Sequence, residues 1–138
     1  MTVKQVTVVK DVFAAAYRGD VEGMQACLHP EFSIDQAVGT PYAGRYDGLD
    51  GFLTMFGILT SHFDFAPRNQ IFHDCGKADI GVIVTFDVDF TSRESGLQAS
   101  TGMVELYRFR DDLIHHIDVY YKDAARIAAL ATGTSVTS

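Results

Sequence analysis

Three long segments near the C-terminal end of this sequence decide most of what it can fold into. Residues 78–90, 97–110 and 113–121 each alternate apolar with polar side chains, and the joints between them, Ser92-Arg93-Glu94-Ser95-Gly96 and Arg110-Asp111-Asp112, are short and rich in turn formers. A period of two sends successive side chains to opposite faces of a strand, and joints this short connect only antiparallel neighbours. The result is a meander, preceded across Asp74-Cys75-Gly76-Lys77 by a further strand at residues 65–73. Such a sheet must cover its apolar face with another layer.

The first half supplies that layer. Val6, Val9, Phe13 and Ala16 fall on one helical stripe in residues 3–18, with Val12 and Tyr17 beside it and Gly19 as the stop. Asp20 can cap a second short helix whose buried side is Val21, Met24 and Leu28, ended by Pro30. A short strand follows at residues 32–38, then the turn-rich GTPYAGRYDG, then a helix at residues 49–63 with Phe52, Phe56 and Leu59 in register. Helices first and a long sheet afterwards make an α+β domain, and a strongly bent sheet leaves a hollow between the layers. The 138 residues fit one domain, expected at residues 1–127, with a mobile tail at 128–138 whose small polar side chains bury little surface.

Composition excludes several classes of function. The net charge is −7 and the eleven Lys and Arg residues are scattered, so no basic patch exists to hold nucleic acid. No apolar stretch is long enough for a membrane, and Val3, Val6, Val8 and Val9 are interrupted by Lys4, Gln5, Thr7 and Lys10, so neither a leader nor a span is expected and the protein is expected in the cytoplasm. Cys27 and Cys75 read as isolated buried thiols. No GxGxxG, P-loop, GxSxG or HExxH pattern occurs.

The order helix, GDVEGMQACLHPEF, short strand, PYAGRYDGLDGF, helix and a meander ending IHHIDVYYKDAARI resembles the SnoaL-like and ketosteroid-isomerase-like families of the nuclear-transport-factor-2-like superfamily, over residues 5–127. The resemblance implies a cone-shaped fold around an apolar pocket, a homodimer paired through the outer sheet face, and either enzymes or binding proteins among the relatives. Fold alone does not choose between those.

Candidate site residues follow from strand parity and from the resemblance. Val82, Val84, Phe86, Val88 and Phe90 share a face that should line the pocket. In the next strand Met103, Glu105, Tyr107 and Phe109 oppose Val104, Leu106 and Arg108, so either Glu105 points inward or it points outward to pair with Arg108 or Arg110. The resemblance puts Glu105 where isomerase-like enzymes keep an inward acid. A carboxyl among Phe86, Met103 and Tyr107 would have a raised pKa and could donate a proton. The same resemblance puts Gln36 in place of the carboxylate base and Val12 in place of an oxyanion-binding tyrosine. Asp35 then becomes a substitute base and Tyr17 a substitute hydroxyl, or the protein binds without proton transfer.

In the IHHID segment, counting from the Asp111-Asp112 turn puts His115, Ile117, Val119 and Tyr121 inward and leaves His116, Asp118 and Tyr120 on an outer, dimer-forming face. Matching HIDV to the HWDV-like segment of polyketide cyclases would instead make Asp118 an inward acid-base. No third metal ligand is positioned beside His116 and Asp118, so no metal is expected. The expected activity is that of a cofactor-independent cyclase, isomerase or dehydratase acting on a hydrophobic oxygenated molecule. Its catalytic groups would come from Glu105, Asp118, Asp35, Tyr17 and His115, and its ligand would be held by Gln36, Phe52, Phe56, Val84, Phe86, Met103, Tyr107 and Val119. The competing expectation is a non-catalytic binding or assembly module.

Overall fold

The computed structural model describes residues 3–77 and 79–132. Along the chain run α1 (Val3–Arg18), α2 (Val21–Cys27), β1 (Leu28–Gln36), β2 (Gly44–Asp47), α3 (Gly48–His62), β3 (Phe63–Asp74), β4 (Ile80–Ser92), β5 (Gln98–Arg110), β6 (Leu113–Tyr121) and α4 (Ala124–Ala131). Gly19 ends α1 in the left-handed region, at φ 67°, which glycine adopts without a steric penalty. The Asp20 carboxylate accepts the Gly23 N–H at 2.9 Å and so caps α2.

All six strands form one mixed sheet in the order β2-β1-β6-β5-β4-β3, with open edges at β2 and β3. The expected meander is present as β3 to β6, antiparallel throughout. β1 is inserted beside β6 and runs parallel to it, which brings Asp35 level with Asp118 and Ser33 level with His116. Helices α1 and α3 cover the inner face. There Val9, Val12 and Ala15 of α1 and Phe52, Met55 and Leu59 of α3 are buried against Val82, Val84, Phe86, Val88 and Phe90 of β4. The alternation read from β4 is therefore the observed one.

Several boundaries differ from the sequence reading. Cys27 ends α2 and Leu28 already belongs to the sheet, because Leu28 pairs with Ile114 across the parallel strands. β2 lies inside a stretch rich enough in glycine to read as turn, and its four residues pair with β1. Val38, assigned to a strand, is 89% exposed in the loop beyond Gln36. Ala78, the expected first residue of a strand, lies outside the described residues. At the other end Ile127 and Leu130 are fully buried, so the packed chain continues past residue 127, through α4. The remainder of the expected mobile tail, residues 133–138, lies outside the described residues. Cys27 is buried as expected, whereas Cys75 is only partly so. None of the described helices is long and apolar enough to cross a membrane.

Candidate active site

Between α1, α3 and the inner sheet face lies a cavity of about 100 Å³, with walls that are almost entirely apolar. Phe52 and Phe56 project one turn apart from α3, edge to face with centroids 4.8 Å apart. Phe13 of α1 meets Phe86 edge to face at 5.8 Å. Four polar side chains interrupt these walls from the sheet: Gln36 at the end of β1, Glu105 and Tyr107 on β5, and Tyr121 at the end of β6.

Register settles which way Glu105 points. It pairs with Val84 on one side and Val119 on the other, and directly opposed residues of antiparallel strands share a face. Both valines are buried, so the carboxylate is inward too. The Tyr107 hydroxyl, two residues along the same face, donates to Glu105 Oε1 at 2.6 Å. Desolvation disfavours the charged carboxylate and raises its pKa to about 7, although the Tyr107 hydrogen bond pulls the other way. Tyr107 is itself raised well above the ordinary tyrosine value, first by burial and then by the neighbouring Glu105. Its proton therefore stays on the phenol.

Gln36 is buried on the same cavity. Its Oε1 accepts the Ala37 N–H at 3.3 Å, and one amide hydrogen points to the Met55 sulfur at 3.4 Å, a weak acceptor. Tyr121 forms a 2.5 Å hydroxyl pair with Tyr42, which is fully buried in the loop between β1 and β2. Strand parity places Tyr121 inward without giving it a role, and Tyr42 falls inside a turn-rich stretch. Nothing periodic marks a loop tyrosine that folds back into the core.

The other expected catalytic residues are elsewhere. Asp118 and Asp35 are on the outer sheet face, where His116 Nε2 sits 3.0 Å from Asp118 and 3.3 Å from Asp35. Ser33 Oγ lies 2.6 Å from His116 Nδ1, and Arg108 Nε is 3.5 Å from Asp118. Neither carboxylate reaches the cavity, and the inward alignment of Asp118 is thereby corrected. His115 is corrected for a different reason. A bulge in β6 falls on it, because Arg108 pairs with His116 while Phe109 pairs with Ile114. Ile114 takes the inward position, and the His115 ring stands edge-on to His29 at 5.3 Å. Burial first, then Arg110, holds the His115 pKa below the ordinary histidine value.

Tyr17 does line the cavity, but at its mouth, with 62% of its surface exposed. Val84 and Val119 back the Glu105 side chain from neighbouring strands without lining the cavity, whereas Phe52, Phe56, Phe86, Met103 and Tyr107 line it as expected.

Two clusters of described residues bring potential metal ligands within 4.8 Å of one another: Asp35 with His116 and Asp118, and His29 with Glu31 and His115. Both are outside the cavity. In the first, the parallel β1–β6 register supplies the third ligand that sequence spacing could not. Arg108 and Ser33 already engage that cluster.

The sequence pattern of the SnoaL-like domain matches residues 9–117. The chain belongs to the SnoaL-like domain family. No curated protein sequence matches this SnoaL-like chain. Its fold is that of solved NTF2-like proteins. One from Burkholderia xenovorans LB400 is 22% identical with a TM-score of 0.80, covering 98% of each chain. A candidate polyketide cyclase from Xanthomonas campestris pv. campestris is 17% identical with a TM-score of 0.77, covering 94% of this chain and 99% of the other. TerC, crystallised with polyporic acid, is 20% identical with a TM-score of 0.72, covering 88% and 94%. At such identities the likeness speaks for the fold.

Proposed function

We propose that this SnoaL-like protein is an acid-base enzyme of the cyclase or isomerase type, acting on a small, largely apolar, oxygenated molecule. The observation that carries the reading is Glu105: among the described residues it is the one carboxylate lining the cavity, and its pKa of about 7 suits a group that must both take and return a proton near neutral pH. Roles expected of two carboxylates fall to one. Ionised Glu105 removes a proton from carbon beside a carbonyl, leaving an enolate and a neutral Glu105. In an isomerisation the same proton returns to a different carbon. In a cyclisation the enolate carbon attacks a second carbonyl of the same molecule, and Glu105 protonates the new alkoxide.

Negative charge on the carbonyl oxygen needs a donor already in place. The Gln36 amide supplies one, since the hydrogen now directed at the Met55 sulfur gives up little when it turns to a substrate oxygen. Glutamine in the position of a base thus reads as an electrophilic partner to Glu105. The expected pairing of two copies through the outer sheet face remains part of this proposal, and Ile71 and Tyr120, both more than half exposed, favour it.

A binding protein on the same scaffold is the second reading, favoured by Val12 and Gln36 where isomerase-like relatives keep working groups. Turnover separates the two. With cyclohex-3-enone in D₂O, followed by proton NMR, the wild type should speed α-deuteration and double-bond migration at least about 100-fold over Glu105→Gln. The rate should rise with pH and level off above about 7. Equal rates for the two proteins would leave the binding module standing.

A further inference from the structure

The chamber beside Glu105 is small for the molecules such chemistry serves. At about 100 Å³ it takes no more than a single ring, given that an apolar protein cavity of about 150 Å³ holds benzene. A larger ligand that reaches Glu105 must extend through the mouth. Ala16, Tyr17, Phe56 and Phe65 line both the cavity and a surface groove of about 500 Å³, so the two hollows adjoin there. The groove runs between the end of α1, α2, α3 and the start of β3, with Val21, Met24, Leu53 and Thr60 among its walls.

Val21 is the telling residue. Helical spacing put it on the buried side of α2, yet it is 42% exposed. It lines the groove, where half-buried Leu53 and Phe56 also present apolar surface. Arg93 and Asp64 at the rim are paired with each other at 2.8 Å, so their charges offset one another there.

We infer that the ligand is bipartite: a compact oxygenated head enters the cavity against Glu105, and an uncharged apolar tail lies along the groove, with Tyr17 and Phe65 as the collar between them. Their ring centroids are 6.4 Å apart. This rests on the cavity being the ligand site, as proposed above. A second hollow, which shares Phe13, Tyr17 and Pro67 with the cavity and is also lined by Lys10, Gln70 and Phe72, is smaller, at about 340 Å³.

A homologous series of 4-alkylphenols tests the inference, with affinities measured by ligand-observed NMR. Phenol reports on the cavity alone. Each added methylene should tighten binding roughly two- to fourfold, so that 4-hexylphenol binds about fiftyfold or more tighter than phenol. Val21→Glu and Thr60→Trp, which charge and fill the groove, should erase most of that gain while leaving phenol affinity unchanged, and unchanged phenol affinity also shows that the variants fold. Gln70→Trp, in the other hollow, should behave as wild type. A flat series, or a gain erased by Gln70→Trp and kept by the groove variants, would overturn the inference and leave the cavity reading intact. Failure of phenol itself to bind would bring down both.

Discussion

Glu105→Gln is expected to stabilise the protein at pH 8 by about 3 kcal/mol while removing the proposed proton-transfer activity. The ordinary glutamate value of 4.5 rises to about 7 in the fold. Between those values the folded state holds a proton that the unfolded state has released, so stability falls as pH rises through this window. The loss is about 1.4 kcal/mol per pH unit over the window and is complete above pH 7. Below about pH 4.5 both states are protonated, and Glu105 imposes no such penalty. Glutamine keeps the shape and can accept the Tyr107 hydroxyl, but it carries no charge to desolvate. Urea unfolding of both proteins at pH 4.5 and pH 8 checks this: the curves should nearly coincide at the lower pH and separate at the higher. A variant equally stable or less stable at pH 8 would mean that the carboxylate is solvated in the fold. On the proposed function, activity and stability should oppose each other at this residue.

Phe90→Ala should cause the largest loss of stability, about 3–5 kcal/mol by the usual cost of deleting a buried phenyl ring. Phe90 is 1% exposed, lies 5.2 Å from the Phe63 ring and stacks on Tyr121 at 6.1 Å. It also lines the cavity, so the void left by alanine would join the existing chamber. Phe90→Leu keeps most of the volume and should cost about 1 kcal/mol. Against a total stability of about 5–15 kcal/mol for a typical domain, the alanine variant should remain foldable in the cold. Denaturant midpoints give both numbers. A loss under about 1 kcal/mol for the alanine variant would show that the surrounding rings collapse into the void.

Strand periodicity carried the sequence reading as far as local geometry allows. The inward set of β4 and the inward face of Ile117 and Val119 are observed, because alternation survives wherever the ladder is regular. The same counting fails at His115, where one extra residue in β6 reverses parity and no local signal announces the bulge. The turn count already reads Asp118 as outward, but that Asp35 and Asp118 come level beside His116 follows from a parallel pairing between strands about eighty residues apart, which no spacing rule reveals. Glu105 was legible as a candidate, but its direction needed the valines on the two neighbouring strands. Tyr42 was illegible because a loop residue has no period, and Val21 misled because helical spacing cannot tell a core from a groove. The family was readable from GDVEGM, PYAGRYDG and the order of elements. The proposed division of labour between Glu105 and Gln36 was not.

One buried carboxyl, that of Glu105, should titrate near neutrality inside the cavity. Side-chain carboxyl carbon resonances of glutamate-labelled protein, followed from pH 3 to pH 9 and compared with Glu105→Gln, test it without knowledge of the substrate. A glutamate resonance with its midpoint near pH 7, absent from the variant, is the expected result. A Glu105 resonance with its midpoint near the ordinary 4.5 would contradict it, and with it the proton-transfer function.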